Sequence, residues 1–163
     1  MNSRIMKKNL LLLLAAAALL FAGCGAQKTT TSYYNSPTTL IRYDADGSMV
    51  LRAYGTGRTG ANAREQAWKN AVRDVIFKGI NVPGNPMASR PLVTEVNAQE
   101  KYEQFFNAFF QDKGYYRSFV TTEDRKPLSS VKEENKLEMK QGTTVRVLRP
   151  ELKEYLKENG ILK

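Results

Sequence analysis

The pattern of hydrophobic and polar positions predicts strands in two parts of the chain. Two strand-like runs, 38–43 and 48–54, flank the sequence DADG at 44–47. Asp and Gly favour the conformations of a tight turn, so these runs predict a hairpin. Farther along, polar and apolar residues alternate from Leu137 to Val147. That alternation predicts an antiparallel strand with one solvated face and a bulge at Gly142.

A first long helix is predicted over about residues 61 to 79. Its inward positions repeat every four residues and are small, at Ala63, Ala67, Ala71 and Val75. Such a stripe allows a helix to pack closely on a sheet. Four basic residues lie on other sides of the helix than this stripe, at Arg64, Lys69, Arg73 and Lys78. We interpret them as a solvated face, with a basic docking surface as the alternative.

A second long helix is predicted between Asn97 and Gly114. Asn97 and Glu100 have the spacing of a capping box, and Gly114 ends the segment. Five aromatic residues share its apolar face, namely Tyr102, Phe105, Phe106, Phe109 and Phe110. We interpret this face as domain core, with a ligand groove or partner interface as the alternative.

The remaining segments complete an α+β domain over residues 38–163. Residues 115–122 are strand-like, the charged segment 124–135 is expected to be an exposed connection, and a last helix begins at Pro150 and ends at Gly160. The predicted fold is an antiparallel sheet of about three to four strands, backed by two long helices, plus the C-terminal helix.

The N-terminus resembles a bacterial lipoprotein signal peptide. A basic start is followed by an apolar run, 10–22, of about thirteen residues, and about 20 are needed to span a bilayer. Leu20-Phe21-Ala22-Gly23 resembles a lipobox, which implies cleavage between Gly23 and Cys24 and acylation of Cys24. The alternative is a buried helix that ends in a cysteine.

These features predict a cleaved signal peptide at 1–23 and a lipidated, flexible tether at 24–37. Gly25 follows the cysteine where an Asp would favour the inner membrane. We therefore expect delivery to the outer membrane. Because no acidic cluster of the kind that exports some lipoproteins to the cell surface follows the cysteine, we expect the domain to face the periplasm. Without residues 1–23, the formal charge is 25 − 3 − 16 = +6.

The composition argues against several kinds of catalytic and binding site. The chain has no histidine, which excludes Ser-His and Cys-His nucleophilic pairs and the usual zinc sites. Gly55–Gly60 matches G-x-G-x-x-G, but the predicted helix leads into a breaker-rich loop rather than a parallel strand. Asp44 and Asp46 lack the other residues of a calcium loop. We therefore predict no cofactor, no metal and no catalytic residue.

Nucleic-acid binding is also not expected. Lys113-Gly114-Tyr115 is similar to the start of an RNA-binding motif, but Tyr116 stands where that motif has a small residue. The strand order of an RNA-recognition domain is missing as well. An exported, membrane-anchored protein would rarely meet RNA.

A family resemblance covers roughly residues 48 to 162. It consists of the strand leading into Tyr54-Gly55-Thr56-Gly57, the alanine-rich helix, the Gly79 loop, the strand from Tyr115 and the strand that ends in Val145-Arg146-Val147. The terminal Leu152, Leu156 and Gly160 fit the same pattern. These features resemble the N-terminal domain of the flagellar assembly protein FlgT and related small outer-membrane lipoproteins. The resemblance implies a helix-backed antiparallel sheet that serves as a binding or assembly part of the cell envelope.

The leading functional hypothesis is a non-enzymatic lipoprotein that binds an envelope protein. One alternative is a carboxylate-dependent glycan hydrolase that uses two of Glu95, Glu100, Glu123 and Asp124, which would have to lie about 5 to 9.5 Å apart. Another is a carrier of small apolar ligands that uses Phe105 and Phe109 of the aromatic helix.

The lipid anchor gives a direct prediction. Cys24→Ser removes the thiol that accepts the lipid, so we expect fatty-acid labelling to be lost and the domain to leave the membrane fraction. Metabolic labelling and fractionation measure both. Ser32→Ala in the tether should leave labelling intact, and labelling that survived Cys24→Ser would contradict the assignment.

Overall fold

The computed structural model describes residues 37–123, 131–132 and 139–162, with only the backbone of 131–132. All of them belong to one unit, Thr31–Lys163. Gly23, Cys24 and Asp124 lie outside the described residues, as do the signal peptide and nearly all of the tether. The expectations for these positions stay predictions.

Five strands form one antiparallel sheet. In chain order they are β1 (Thr39–Tyr43), β2 (Met49–Gly57), β3 (Val120–Thr122), β4 (Val131–Lys132) and β5 (Met139–Val147). The order across the sheet is β1-β2-β5-β3, and β4 pairs with β5 as well. The central pair, β2 and β5, is in register without interruption from Met49 opposite Val147 to Gly57 opposite Met139.

Among the described residues, five helices accompany the sheet. They are α1 (Gly60–Arg73), α2 (Pro86–Ser89), α3 (Ala98–Lys101), α4 (Glu103–Phe109) and α5 (Arg149–Glu158). A π-helical turn, Asp74–Lys78, continues α1, and a 3-10 turn, Tyr115–Phe119, precedes β3. Within the described part of the chain, no helix has both the length and the apolar content needed to cross a membrane.

The α+β class and the antiparallel sheet are confirmed, but the expectation of two long helices is wrong. The second helix is divided at Tyr102, which takes a non-helical conformation between α3 and α4. Asn97 adopts a left-handed backbone with φ of 58°, and its side chain makes no capping hydrogen bond. The apolar spacing alone therefore does not keep this segment in one continuous helix, since tertiary context can override local helical preference.

The prediction of a strand over 115–122 holds only for its last three residues. Tyr116 and Phe119 are both buried and three residues apart. A 3-10 helix places such residues on the same side, whereas a strand would turn them to opposite faces. The chain therefore forms the 3-10 turn first and enters β3 at Val120.

The predicted bulge at Gly142 is also wrong. Gly142 lies directly opposite Tyr54 in the regular pairing of β2 with β5. A Cβ atom at Gly142 would lie 2.9 Å from the Tyr54 ring. The glycine is therefore explained by the ring that covers it rather than by an irregular strand.

The backbone of α1 packs directly on β2. A Cβ atom at Gly55 would lie 2.2 Å from the carbonyl oxygen of Ala63 and 2.3 Å from the amide nitrogen of Ala67. Ala63 and Ala67 are fully buried, and Ala71 continues this stripe of small residues. Because side chains are small or absent on both sides of the contact, helix and sheet approach more closely than larger residues would permit.

The apolar core surrounds this contact. Its fully buried side chains include Leu51 and Val145 from the sheet, Val72 and Ile76 from the helix, and Leu152 from α5. α5 ends as the sequence predicts. Gly160 has φ of 71°, and the Gly160 and Ile161 amides donate to Lys157 and Leu156 in a Schellman closure.

Gly55→Ala tests the close contact between α1 and β2. Because backbone atoms of α1 occupy the space of the added methyl group, we expect the free energy of unfolding to fall by about 2–3 kcal/mol. Chemical denaturation measures this loss.

Gly60→Ala is the matched control. A Cβ atom there would first meet the flexible side chain of Gln141, at 3.1 Å from its Oε1, so the expected change is within about 0.5 kcal/mol. Equal effects of the two substitutions would contradict the account of the contact.

Candidate functional site

The carboxylates proposed for glycan hydrolysis are engaged with different partners. Glu95 lies before α3, where its Oε1 is 2.5 Å from Lys101 Nζ. Glu123 follows β3 and accepts a hydrogen bond of 2.8 Å from Arg146 Nε. Glu100 is an exposed residue of α3, and Asp124 lies outside the described residues. The structure thus pairs Glu95 and Glu123 with cations from separate parts of the fold.

Asp44 and Asp46 form a hairpin turn stabilised by hydrogen bonds and ion pairs. Asp46 Oδ1 accepts a hydrogen bond of 2.8 Å from the Ser48 amide. Asp44 Oδ2 lies 2.6 Å from Nη1 of Arg146, the residue that also binds Glu123. Among the described residues, no group of three or more acidic, histidine or cysteine side chains could hold a metal ion.

The glycines of the G-x-G-x-x-G sequence serve the packing of α1. Gly55 and Gly57 lie within β2, and Gly60 is the first residue of α1. The spaces above Gly55 and Gly57 are occupied by the α1 backbone. These glycines therefore do not form an open loop of the kind that holds a phosphate group.

The basic residues of α1 are partly used inside the domain. Lys69 Nζ lies 2.6 Å from Asp112 and 5.6 Å from the centre of the Tyr116 ring. The Arg73 guanidinium lies 4.8 Å from the centre of the Phe110 ring, and burial lowers the pKa of Arg73. Two of the four cations thus help to hold the 110–116 region against α1, which weakens the case for a basic docking surface.

The aromatic residues of α4 belong mainly to the core. Phe106 and Phe109 are buried, and Phe105 packs edge-on against Phe106 with ring centres 5.1 Å apart. Phe105 also stacks on Phe109 at 5.8 Å. Because these rings are in contact with one another, the geometry favours the core interpretation over a groove for an apolar ligand.

One aromatic residue lies at the surface of this cluster. Tyr115 is 63% exposed, and its ring stacks on Tyr155 with centres 6.1 Å apart and an angle of 26°. Tyr155 in turn contacts Phe119 at 5.1 Å and Phe105 at 6.1 Å. We refer to Tyr115, Tyr155 and Phe105 as the aromatic platform, because an exposed ring stacks there on partly buried rings that pack against the core.

A carboxylate on α1 fixes the segment that carries Tyr115. Glu65 Oε1 accepts hydrogen bonds from the Tyr116 hydroxyl at 2.7 Å and from the Lys113 amide at 3.1 Å, and it lies 3.5 Å from Arg117 Nε. Burial alone would raise the pKa of Glu65, but these three partners and the charge of Lys69 together outweigh it and lower the pKa. Burial, together with the bond to Glu65, raises the pKa of Tyr116.

Sequence reasoning did not identify Asp74 as a special residue. Asp74 is the first residue of the π-helical turn and is only 3% exposed. Its Oδ1 has no hydrogen-bond partner, and burial raises its pKa to about 6. The sequence shows only an acidic residue within a helix, four positions after the buried Asn70.

Comparison of the chain with known protein families, with curated proteins and with solved structures found no match.

Tyr116→Phe tests the attachment of the 3-10 turn to α1. The substitution leaves Glu65 without its hydroxyl donor, and we expect the free energy of unfolding to fall by about 1.5–3 kcal/mol, as for a hydrogen bond to a charged group. The neighbouring Tyr115→Phe is the control. Tyr115 is largely exposed, so thermal or chemical denaturation should show little change for it, and equal losses in both variants would refute the assignment.

Proposed function

We propose that this protein is a non-enzymatic, lipid-anchored module of the cell envelope. It would be held at the outer membrane through Cys24, face the periplasm and bind or assemble with another envelope protein. The signal-peptide pattern before Cys24 supports the location. The single observation that supports a binding role is the exposed ring of Tyr115, which stacks on Tyr155, a partly buried residue packed against the core.

Tyr115 has the properties of a binding hot spot. Tyrosine is enriched at protein interfaces and among the residues that dominate binding energy, because it offers a large apolar ring with a polar end. Its neighbour Tyr116 is fully buried and bonded to Glu65, so the backbone beneath the exposed ring is fixed. The aromatic platform is therefore the surface that we assign to the protein partner.

The glycan-hydrolase alternative receives less support from the geometry. A retaining or inverting mechanism needs two carboxyl groups on either side of one glycosidic bond. Glu95 is instead paired with Lys101 next to α3, and Glu123 is paired with Arg146 beside the sheet. We favour binding over catalysis on this basis.

The relationship to the N-terminal domain of FlgT is also a proposal, at the level of the fold. The antiparallel sheet with α1 packed on it is compatible with that resemblance. A flagellar role does not follow, because one fold can serve many functions.

Site-specific photo-crosslinking in intact cells tests the proposed surface. A photoreactive phenylalanine analogue at position 115 should give a reproducible adduct with an envelope protein. The same analogue at position 96 is the control, because Val96 is also highly exposed, at 84%, and lies outside the aromatic platform. Mass spectrometry of the adducts identifies the partner.

Tyr115→Ala should then reduce co-purification of that partner at least about 10-fold, as expected for a hot-spot residue, while Val96→Ala leaves it unchanged. Identical adducts from positions 115 and 96 would refute the proposed surface. Failure to capture any partner, under conditions that capture one for a control lipoprotein, would count against a binding role.

A further inference from the structure

Asp74 is a buried carboxyl group at the start of the π-helical turn that continues α1. The helix changes there from α-helical to π-helical hydrogen bonding, and the π-helical turn ends at Gly79, whose amide donates to the Asp74 carbonyl at 2.8 Å. Single π-helical turns often occur at functional sites. The side chain is nearly inaccessible to solvent, and its Oδ1 atom lacks a hydrogen-bond partner.

Two groups act on this carboxylate. The backbone amide of Thr38 donates a hydrogen bond to it, and the positive charge of Lys78 lies one turn farther along the same helix. Both favour the ionised form, but the effect of burial is larger and favours the protonated form. The side chain thus binds the residue directly before β1, but its two partners do not offset the cost of burying its negative charge.

β1 is weakly held compared with the central strands. It lies at the edge of the sheet, pairs with β2, and has a break in register between Leu40 and Arg42. Three of its five residues are exposed, including Ile41. Opening of this strand would separate Thr38 from Asp74 and would let water reach the carboxylate.

We propose that Asp74 is a pH-responsive latch on β1, which closes the strand onto the domain in acid and loosens it at neutral pH. β1 is also the segment that follows the predicted tether, so the latch would set how firmly the domain is held next to its anchor. This last step rests on the proposed function. The opening of β1 itself does not depend on the anchor.

The direction follows from linkage between protonation and opening. In the closed state the pKa of Asp74 is about 6, against 3.8 for the solvated group. A group with a raised pKa favours the closed state at low pH, and this advantage is lost as the pH rises through the closed-state value. For these two values, the opening equilibrium constant rises about 60-fold between pH 4 and pH 7.5.

Hydrogen exchange of the full chain, purified in detergent, tests the latch. After correction for intrinsic exchange rates, the β1 amides should open about 60-fold more at pH 7.5 than at pH 4. They should also exchange faster than the β5 amides at every pH, because the opening is local. In Asp74→Asn the pH dependence of β1 should disappear, and in Glu154→Gln, which alters an exposed carboxylate of α5, it should persist.

Three results would overturn the proposal. These are a pH dependence that survives in Asp74→Asn, β1 amides that exchange no faster than those of β5, and an Asp74 carboxyl that titrates near pH 4 in the unaltered protein. Direct titration of that carboxyl by NMR keeps the proposal testable if Asp74→Asn does not fold. Cys24→Ser shows whether the latch acts independently of the lipid anchor. Removing the lipid should leave the pH-dependent exchange of β1 unchanged.

Discussion

The contact of α1 with β2 at Gly55 is the constraint on which the rest of the structure depends. Because no side chain separates the two backbones there, the alanine stripe of the helix lies directly on the sheet. The larger residues farther along the same helix, Val72 and Ile76, then reach the core formed with α5. The core residues pack without gaps only if α1 and β2 lie close together at Gly55. A gap between them would remove favourable dispersion contacts.

The same helix carries polar residues that organise its surroundings. Glu65 binds the 3-10 turn, Asn70 donates to the Tyr54 carbonyl at 2.8 Å, and Asp74 holds the start of β1. Each is spaced so that its side chain can meet a different neighbouring segment. α1 therefore combines close packing at its alanines with hydrogen bonding to the turn, the sheet and the edge strand.

The sequence predicts those elements whose stability is local or periodic. The alanine repeat identifies α1, the DADG turn identifies the first hairpin, and Gly160 marks the end of α5. The division of the aromatic helix at Tyr102 could not be predicted in this way, since it depends on how several rings pack together. Spacing alone also cannot show that Tyr116 points inward and Tyr115 outward, because Tyr116 finds its partners in distant parts of the chain, such as Glu65, which is 51 residues away.

Arg146 connects parts of the sheet that are not neighbours. Its guanidinium lies 2.6 Å from Asp44 in the hairpin turn and 2.8 Å from Glu123 after β3, while the residue itself belongs to β5. All three side chains are partly exposed, so dissolved ions screen their attraction, over a length of about 8 Å at physiological ionic strength. The hairpin turn and the end of β3 are therefore both attached to β5 through ion pairs of the same guanidinium. A rise in ionic strength weakens both attachments at once.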